Sequence, residues 1–401
     1  MKNLKKMIST FLVLLFTFSP IAFCTESYVW SDTTIETNTE DTTGNFLNIQ
    51  SGSAILIEQN SGKVLYEYNS HEQLRPASVT KIMSILLIME ALDSGKISLE
   101  DSVPCSENAS HMGGSQIWLN ETESLTVNDM LKAICVVSAN DCVVAMAEYL
   151  AGSEEIFVQQ MNAKAKELGM NDTNFVNCHG IDEDGHVTSS YDIALMSREL
   201  LTKHPNITNY TTIWMDSLRD GQSQLTNTNK LVRTYQGCTG LKTGSTSLAL
   251  YNLSASATRN DLSLIAVVMK GPTSEIRFSE AKKLLDYGFA NYSYCNTSTA
   301  GETLQTVDVQ KGTKNSVNLV YESDSGAIIK STDNGNITSE ITINENIVAP
   351  ISVGDVLGTV NFYLNNEQIS SVNLVANENI DKISVMSLFS MITDFWVNLF
   401  R

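Results

Sequence analysis

The strongest hydrophobic pattern in the chain is a nearly unbroken apolar run at residues 82–92. A run of this length without a polar face predicts a helix that is buried on all sides. Just before it, Ser78 and Lys81 occupy what the pattern predicts to be the first turn of that helix. Residues three positions apart share a helix face, so the lysine amine can reach the serine hydroxyl. Burying such groups costs free energy unless something uses them, which makes the pair a candidate for chemistry.

The hydrophobic period changes along the first 300 residues and predicts an α/β domain of the α+β type. Residues 53–58 and 63–68 flank a polar turn, which is typical of a β-hairpin. Three further strands are predicted at residues 240–244, 249–258 and 262–270. Helices are predicted at residues 127–137, 142–151, 154–168, 191–201 and 274–292. This order indicates one antiparallel sheet, built from both ends of the domain, with helices against its faces.

The last 100 residues have a different pattern and predict two further parts. Short alternating runs at residues 303–377, rich in Thr, Ser, Asn, Val and Gly, indicate a small all-β domain. Residues 383–401 carry apolar side chains at helical spacing and only two charges, Asp394 and Arg401. We interpret this segment as an amphipathic membrane-anchor helix on the membrane surface, in preference to a packed terminal helix or a spanning helix.

The N-terminus has the pattern of an export signal. Residues 1–24 carry three lysines, then an apolar run too short for a comfortable membrane span, which together predict a signal peptide. Residues 25–48 are polar and turn-rich and predict a flexible leader. Removal of residues 1–24 takes away three lysines and no acid, so the net charge changes from −19 to −22. Such an acidic chain is a poor partner for nucleic acid.

Six of the seven cysteines lie beyond the predicted signal peptide. An even number in an exported chain permits disulfides, but their wide spacing is unlike that of a small disulfide-stapled scaffold. Cys135 and Cys142 would lie about 10 Å apart on one continuous helix, which is too far for a bond. We therefore interpret most of the cysteines as small buried apolar side chains.

Three short motifs carry the candidate chemistry, and each is weak when taken alone. Ser-x-x-Lys should occur by chance about once or twice in a chain of this length. Ser279 and Lys282 indeed form a second copy, within an amphipathic helix. The specific signal is the ordered set at predicted element boundaries. It consists of Ser78 and Lys81 opening the apolar helix, Ser138 and Asn140 at a helix corner, and Lys242, Thr243 and Gly244 on a strand.

With this set the chain resembles the penicillin-recognising serine peptidases, and most closely the bacterial low-molecular-mass D-alanyl-D-alanine carboxypeptidases. Further stretches that look like this subfamily are Gly-Ser-Gln-Ile-Trp-Leu at residues 114–119, His-Gly-Ile at 179–181 and Gly-Leu-Lys-Thr-Gly at 240–244. The resemblance implies a serine DD-peptidase domain with the serine β-lactamase type of fold at residues 49–298. The all-β domain and the terminal helix are similar in kind to the C-terminal parts of the family.

The chemistry expected of the motif residues agrees with the resemblance. A serine hydroxyl is a weak nucleophile that needs a nearby base, and Lys81 is the candidate base for Ser78. The pKa of Lys81 must be lowered for this role, which burial and a second cation at Lys242 could both do. Lys242 and Thr243 can also meet the terminal carboxylate of a substrate. Attack by Ser78 then gives a covalent acyl-enzyme that water releases.

The resemblance implies roles for the other residues of the set. It assigns Ser138 a proton-relay role toward the leaving amine and Asn140 a contact with the substrate amide. Gly244 allows the strand backbone to approach closely. Backbone N–H groups of Ser78 and Ser245 are expected to form the oxyanion hole, the former aided by its helix N-terminus.

One stretch also permits a metal-site interpretation, because it contains Cys178, His179, Asp182, Asp184 and His186. We expect no metal there, since the stretch coincides with a family loop near the active site that needs none. The resemblance implies no cofactor either.

The leading hypothesis is an exported enzyme that removes the terminal D-alanine from peptidoglycan stem pentapeptides at the outer face of the bacterial membrane. β-Lactam antibiotics are expected to acylate and inhibit it. A serine β-lactamase is the nearest rival, but a Glu-x-x-Leu-Asn pattern for a deacylating glutamate does not occur between Ser138 and Lys242. A transpeptidase or endopeptidase is also compatible with the motifs, whereas the complete set disfavours a catalytically silent wall-binding module. The sequence predicts no oligomeric state.

Overall fold

The computed structural model describes residues 44–333, 337–386 and 393 of the chain. The predicted signal peptide lies outside the described residues, as do most of the predicted leader and most of the predicted C-terminal helix. The described residues form a helix-and-sheet domain followed by an all-β domain, which confirms the predicted fold class.

The first domain is built around a five-stranded antiparallel sheet whose strands come from both ends of the domain. The strands of this domain are β1 (Ser53–Glu58), β2 (Val64–Tyr68), β3 (Ser102–Pro104), β4 (Ser124–Thr126), β5 (Met215–Leu218), β6 (Ser223–Thr226), β7 (Cys238–Thr246), β8 (Leu250–Arg259) and β9 (Leu262–Gly271). The main sheet has the order β2-β1-β9-β8-β7, and each neighbouring pair is antiparallel. β7, which carries the Lys-Thr-Gly motif, is therefore an edge strand with one side unpaired by the sheet.

Helices cover both faces of this sheet. They are α1 (Lys81–Asp93), α2 (Glu107–Ser110), α3 (Val127–Val136), α4 (Asn140–Ala151), α5 (Glu154–Glu167), α6 (Ser190–Lys203), α7 (Thr208–Thr211), α8 (Leu231–Thr234) and α9 (Ser274–Asn291). Alternate residues of β1 enter different cores, because side chains of a strand point to opposite faces in turn. Ile55 and Ile57 pack in the larger core with α1, whereas Ala54 and Leu56 pack in a second core with α9.

The apolar run at residues 82–92 forms α1 in the middle of the larger core. Most of its residues are fully buried, as the pattern predicted. Ser78, however, does not lie in the first α-helical turn but in a 3₁₀ turn, Ala77–Thr80, that precedes it. The N–H of Lys81 donates to Ser78 O, three residues back, while Ala77 O accepts from the Thr80 hydroxyl. These short-range bonds explain the tighter turn.

The corner between α3 and α4 is shorter than predicted. The sequence placed residues 138–141 in the break, whereas α4 already begins at Asn140. Ser138 has a left-handed conformation, with φ +66°, and Ala139 is also non-helical, with ψ +119°, so these residues separate α3 from α4.

The all-β domain has its own core and two small sheets. Its strands are β10 (Tyr292–Ser298), β11 (Thr303–Asp308), β12 (Ser316–Tyr321), β13 (Ser325–Lys330), β14 (Ile337–Ile343), β15 (Val356–Leu364) and β16 (Glu367–Ala376). Five of them form an antiparallel sheet in the order β11-β12-β16-β15-β14, and β10 pairs with β13. Within the described residues, every helix is too short or too polar to cross a bilayer.

Candidate active site

Ser78 lies in a turn that is enclosed by two glycines. A Cβ atom on Gly180 would lie 1.9 Å from Ala77 O, and one on Gly244 would lie 2.9 Å from Ser78 N. A side chain at either position would displace the turn, so glycine is required at both. The close backbone approach predicted at Gly244 is therefore made to the serine turn, which fixes β7 beside the nucleophile.

Lys81 is completely buried, and its amine connects three parts of the site. Nζ lies 3.1 Å from Ser78 Oγ, 2.5 Å from Asn140 Oδ1 and 2.7 Å from His179 O. Burial lowers the pKa of Lys81 to about 7, because the charged amine loses its hydration. A neutral amine has two N–H groups, and these can donate to Asn140 Oδ1 and His179 O. Its lone pair is then left for the proton of the Ser78 hydroxyl.

Ser138 places a hydroxyl at the corner between α3 and α4. The residue is only 3% exposed, and within the described part of the chain its Oγ has no hydrogen-bond partner. A buried hydroxyl in this state is unfavourable for the empty protein. The group is thus available to a bound substrate.

Asn140 is held by the protein on both sides. Its backbone N–H donates to Ser115 O at 2.7 Å, and its Nδ2 donates to Gly113 O at the same distance. Its Oδ1 accepts from Lys81. One N–H of the side-chain amide remains for the substrate contact that the resemblance implies. Asn140 also orients the base and fastens the loop at residues 113–115, two roles that the sequence did not predict.

Lys242 is buried on β7 beside the Ser-Lys pair. Its Nζ donates to Thr243 O at 2.9 Å, and no acidic side chain of the described residues forms an ion pair with it. Burial holds the pKa of Lys242 well below its usual range, and the charge of Lys81 lowers it further.

Burial is the main cause that lowers the pKa of Lys81, and Asp141 acts in the opposite direction. The two buried amines are coupled, because the charge of Lys81 lowers the pKa of Lys242. The reverse effect, of Lys242 on the pKa of Lys81, stays a prediction.

The other two predicted residues of β7 differ in exposure. Thr243 is buried, and its hydroxyl donates to Thr228 Oγ1 at 2.7 Å. Ser245 is exposed, next to the glycine that contacts the serine turn. Thr228 was not predicted, since a lone threonine between two elements carries no recognisable pattern.

The second Ser-x-x-Lys copy has none of these features. Ser279 and Lys282 are exposed on α9, and the Ser279 hydroxyl donates to Ile276 O in its own helix. This contact is an ordinary local side-chain bond to the backbone. Among the described residues, those at 178–186 included, no group of three His, Cys, Asp or Glu side chains is placed so that it could hold a metal ion.

The fold and the buried Ser-Lys pair on it define a serine peptidase of the penicillin-recognising class. Residues 36–273 match the family model of D-alanyl-D-alanine carboxypeptidase, and residues 292–382 match that of the C-terminal domain of penicillin-binding protein 5. The chain therefore belongs to the D-alanyl-D-alanine carboxypeptidase family. The family predicted from the sequence is confirmed.

Individual relatives support this membership over nearly the whole chain. The D-alanyl-D-alanine carboxypeptidase DacF of Bacillus subtilis is 40% identical over 98% of this chain and 99% of its own. Penicillin-binding protein 5 of Haemophilus influenzae is 32% identical, with a TM-score of 0.70 over 83% of this chain and 98% of its own. Penicillin-binding protein D2 of Listeria monocytogenes, in an ampicillin-bound form, is 30% identical, with a TM-score of 0.56 over 61% of this chain and 99% of its own.

Proposed function

We propose that this enzyme removes the terminal D-alanine from peptidoglycan stem pentapeptides through an acyl-enzyme on Ser78. The observation that carries the proposal is the completely buried Lys81 amine, 3.1 Å from Ser78 Oγ. With a pKa of about 7, an appreciable fraction of this amine is neutral near neutral pH and can act as a base.

Acylation begins when Ser78 Oγ attacks the carbonyl carbon of the terminal peptide bond and its proton passes to Lys81 Nζ. Backbone N–H groups of Ser78 and Ser245 stabilise the oxygen on which negative charge develops. The departing D-alanine amine needs a proton, and the unpartnered Ser138 hydroxyl can pass one to it. Lys81 replaces the proton of Ser138 and thereby becomes neutral again. In the second half-reaction water attacks the ester and gives its proton to the neutral Lys81. The bond between the acyl carbon and Ser78 Oγ then breaks, and Lys81 returns the proton to Ser78 Oγ.

Lys242 and Thr243 bind the free carboxylate at the end of the substrate. Lys242 is buried without a counter-charge, so an incoming carboxylate supplies the partner that the protein does not. Binding of this anion favours the protonated lysine and places a charge-assisted hydrogen bond at the C-terminus of the peptide. The preference for a terminal residue follows from this contact.

A β-lactam ring presents a reactive amide and a nearby carboxylate, so the same steps give a penicilloyl ester on Ser78. We expect slow release of this adduct, because the Glu-x-x-Leu-Asn pattern of a deacylating glutamate does not occur between Ser138 and Lys242. Two acidic side chains of this region, Asp141 and Glu154, accept backbone N–H groups of Ile117, Leu119 and Cys178, which gives them structural roles. Both observations favour a penicillin target over a β-lactamase.

The experiment is to treat the protein with labelled penicillin and to locate the adduct by mass spectrometry, while D-alanine release is measured on an acylated D-Ala-D-Ala peptide. Wild type should be labelled once and should release D-alanine. Ser78→Ala should lose both properties, and the matched control Ser279→Ala, in the exposed copy of the motif, should keep both. Labelling of Ser78→Ala would refute the assignment of the nucleophile. Rapid turnover of penicillin would indicate a β-lactamase, and labelling without D-alanine release would refute the carboxypeptidase.

We also propose that the enzyme is exported and held at the outer face of the membrane by residues 383–401. The peptidase domain at residues 49–298 then acts as the catalytic unit, and the β domain at 303–377 as a spacer. Support comes from the last described residues, where Val385 and Met386 are 89% and 81% exposed. Apolar side chains exposed at the start of an amphipathic segment are typical of a helix that lies on a lipid surface.

A further inference from the structure

The peptide unit between Ala77 and Ser78 carries two polar groups, an N–H that faces the proposed oxyanion site and a carbonyl that the protein holds in place. Its N–H, on Ser78, is the proposed donor to the oxyanion. Its carbonyl, on Ala77, lies in the same rigid plane and points the opposite way. Any group that fixes the direction of the carbonyl therefore also fixes the direction of the N–H.

This peptide unit needs external support. Ala77 has φ +50°, in the left-handed region that residues with a side chain rarely adopt. Such a conformation persists only when the surroundings hold it. Asn252 Nδ2 donates to the preceding carbonyl, Pro76 O, at 2.9 Å, and the Thr80 hydroxyl donates to Ala77 O at 2.8 Å.

The Thr80 hydroxyl is oriented in turn by His186, which comes from 106 residues further along the chain. His186 Nδ1 accepts the backbone N–H of Val176 at 2.9 Å, so the ring proton must lie on Nε2. Nε2 lies 2.8 Å from Thr80 Oγ1 and donates to it, which leaves the hydroxyl proton for Ala77 O. Each of these three hydrogen bonds, from Val176 to His186, from His186 to Thr80 and from Thr80 to Ala77, therefore has one defined direction.

Burial of Thr80 and His186 preserves these hydrogen bonds, because it keeps the imidazole ring neutral. Thr80 is fully buried and His186 is 2% exposed. Burial lowers the pKa of His186 to about 4, so the ring is neutral at every pH at which Lys81 can act as a base. A bond from Thr80 to Ala77 alone would be an ordinary local contact. The contact in this protein differs from such a local one, because His186 is distant in sequence and uses both ring nitrogens to fix the Thr80 hydroxyl.

We propose that His186 is a positioning residue for the oxyanion hole, acting through Thr80 on the peptide between Ala77 and Ser78. This inference rests on the proposed function, since it requires Ser78 to be the nucleophile. It also explains why Gly180 lies so close to Ala77 O, because the loop that carries His186 must reach this turn.

The test uses two matched pairs of substitutions in the full chain. Thr80→Val removes the hydroxyl at constant shape, and Thr80→Ser keeps it. His186→Asn keeps an acceptor near Nδ1 but loses the donor, whereas His186→Gln carries an N–H toward the position of Nε2. For each variant, kcat/KM for D-alanine release and the Ki of a D-alanine-derived boronic acid are measured. The boronic acid forms a tetrahedral adduct with the serine and places an oxygen in the oxyanion hole.

Thr80→Val and His186→Asn should lower kcat/KM about tenfold, which is less than the 100-fold or greater loss on removing an oxyanion donor outright. The Ki of the boronic acid should rise by the same factor, and Thr80→Ser and His186→Gln should keep most of both properties. A merely structural role would not link the two readouts or be rescued by the conservative partner. If Thr80→Val does not fold, the His186 pair decides by itself.

Three results would overturn the inference: unchanged kcat/KM in Thr80→Val and His186→Asn, a loss of kcat/KM with unchanged boronic acid Ki, or equal losses in both members of a pair. These three results differ from the result expected if the proposed function itself is wrong. In that case the wild type itself releases no D-alanine and binds no boronic acid, and the positioning role falls with it.

Discussion

At the scale of single residues, the site consists of buried polar groups whose bonding is incomplete in the empty protein. Ser138 lacks a partner within the described residues, and Lys242 lacks a counter-charge. Lys81 has acceptors for two N–H groups besides the serine that it serves. The unmet bonding of Ser138 and Lys242 is unfavourable for stability and useful for chemistry, which is the usual pattern at functional sites.

The pKa of Lys81 predicts the pH dependence of acylation. Below pH 7 the amine is protonated and has no lone pair for the Ser78 proton, so kcat/KM for D-alanine release should fall about tenfold per pH unit. Above pH 7 the rate should level off with respect to this group. The measurement is a profile of kcat/KM from pH 5 to pH 9, with thermal unfolding followed at each pH as a control for folding. A flat profile between pH 5 and pH 7 would exclude Lys81 as the base.

At the scale of elements, the position of the nucleophile depends on backbone packed against backbone. The loop at Gly180 and the edge strand at Gly244 enclose the Ala77–Thr80 turn, and neither contact uses a side chain. The turn is thus held by parts of the chain that lie about 100 and 165 residues away from it.

Gly180→Ala should therefore be more harmful than an alanine at another left-handed glycine. Gly180 and Gly169 both have positive φ, but a Cβ on Gly169 would meet no atom within 4 Å. Gly169→Ala should cost about 1 kcal/mol from backbone strain alone. Gly180→Ala should cost roughly 3 kcal/mol or more, because Ala77 O has to move, and acylation by penicillin should slow as well. Urea unfolding and acylation rates measure both effects; equal behaviour of the two variants would contradict the enclosure of the turn.

The elements that the sequence predicted well are those with a strong hydrophobic period. The β1–β2 hairpin, the helices α1, α3 to α6 and α9, and the strands β7 to β9 lie within a few residues of their predictions, whereas the one-turn helices α2, α7 and α8 were not predicted. The hairpin β5–β6 was missed, since its polar strands have no apolar alternation. The 3₁₀ turn was missed for another reason: Ala77 is held left-handed by Gly180 and Thr80, and local sequence does not encode such tertiary support.

The site residues also divide into those that a sequence motif identified and those that only the folded structure reveals. Ser78, Lys81 and Asn140, which the motifs identified, are joined by hydrogen bonds. The groups that complete the site are a backbone carbonyl of His179 and the hydroxyl of Thr228. A carbonyl is present at every residue and a lone threonine is common, so neither gives a signal before the fold is known.

At the scale of the whole molecule, the described chain places a catalytic domain before a β domain that leads toward the C-terminal segment. Ile383 still donates its backbone N–H to Lys311 O, so residues up to this point belong to the β domain. The predicted anchor, residues 383–401, begins at this last residue of the β domain.

A chain that ends at Lys382 should therefore fold and react normally but lose its attachment. Expressed with its own export signal, it should appear in the soluble extracytoplasmic fraction, whereas the full chain should sediment with membranes. Labelling of both forms with penicillin identifies the fractions and shows that the site is intact. Sedimentation of the shortened form with membranes would show that residues 383–401 are not the anchor.

The uncompensated burial of Lys242 has a consequence for the lifetime of the protein. Because a bound carboxylate supplies the missing charge, ligands bind the folded chain and not the unfolded one, which raises the free energy of unfolding. Proteases cleave unfolded chains, so occupied molecules should persist longer than empty ones. Under the proposed function, the abundance of the enzyme should then rise with the abundance of its uncleaved peptide substrate.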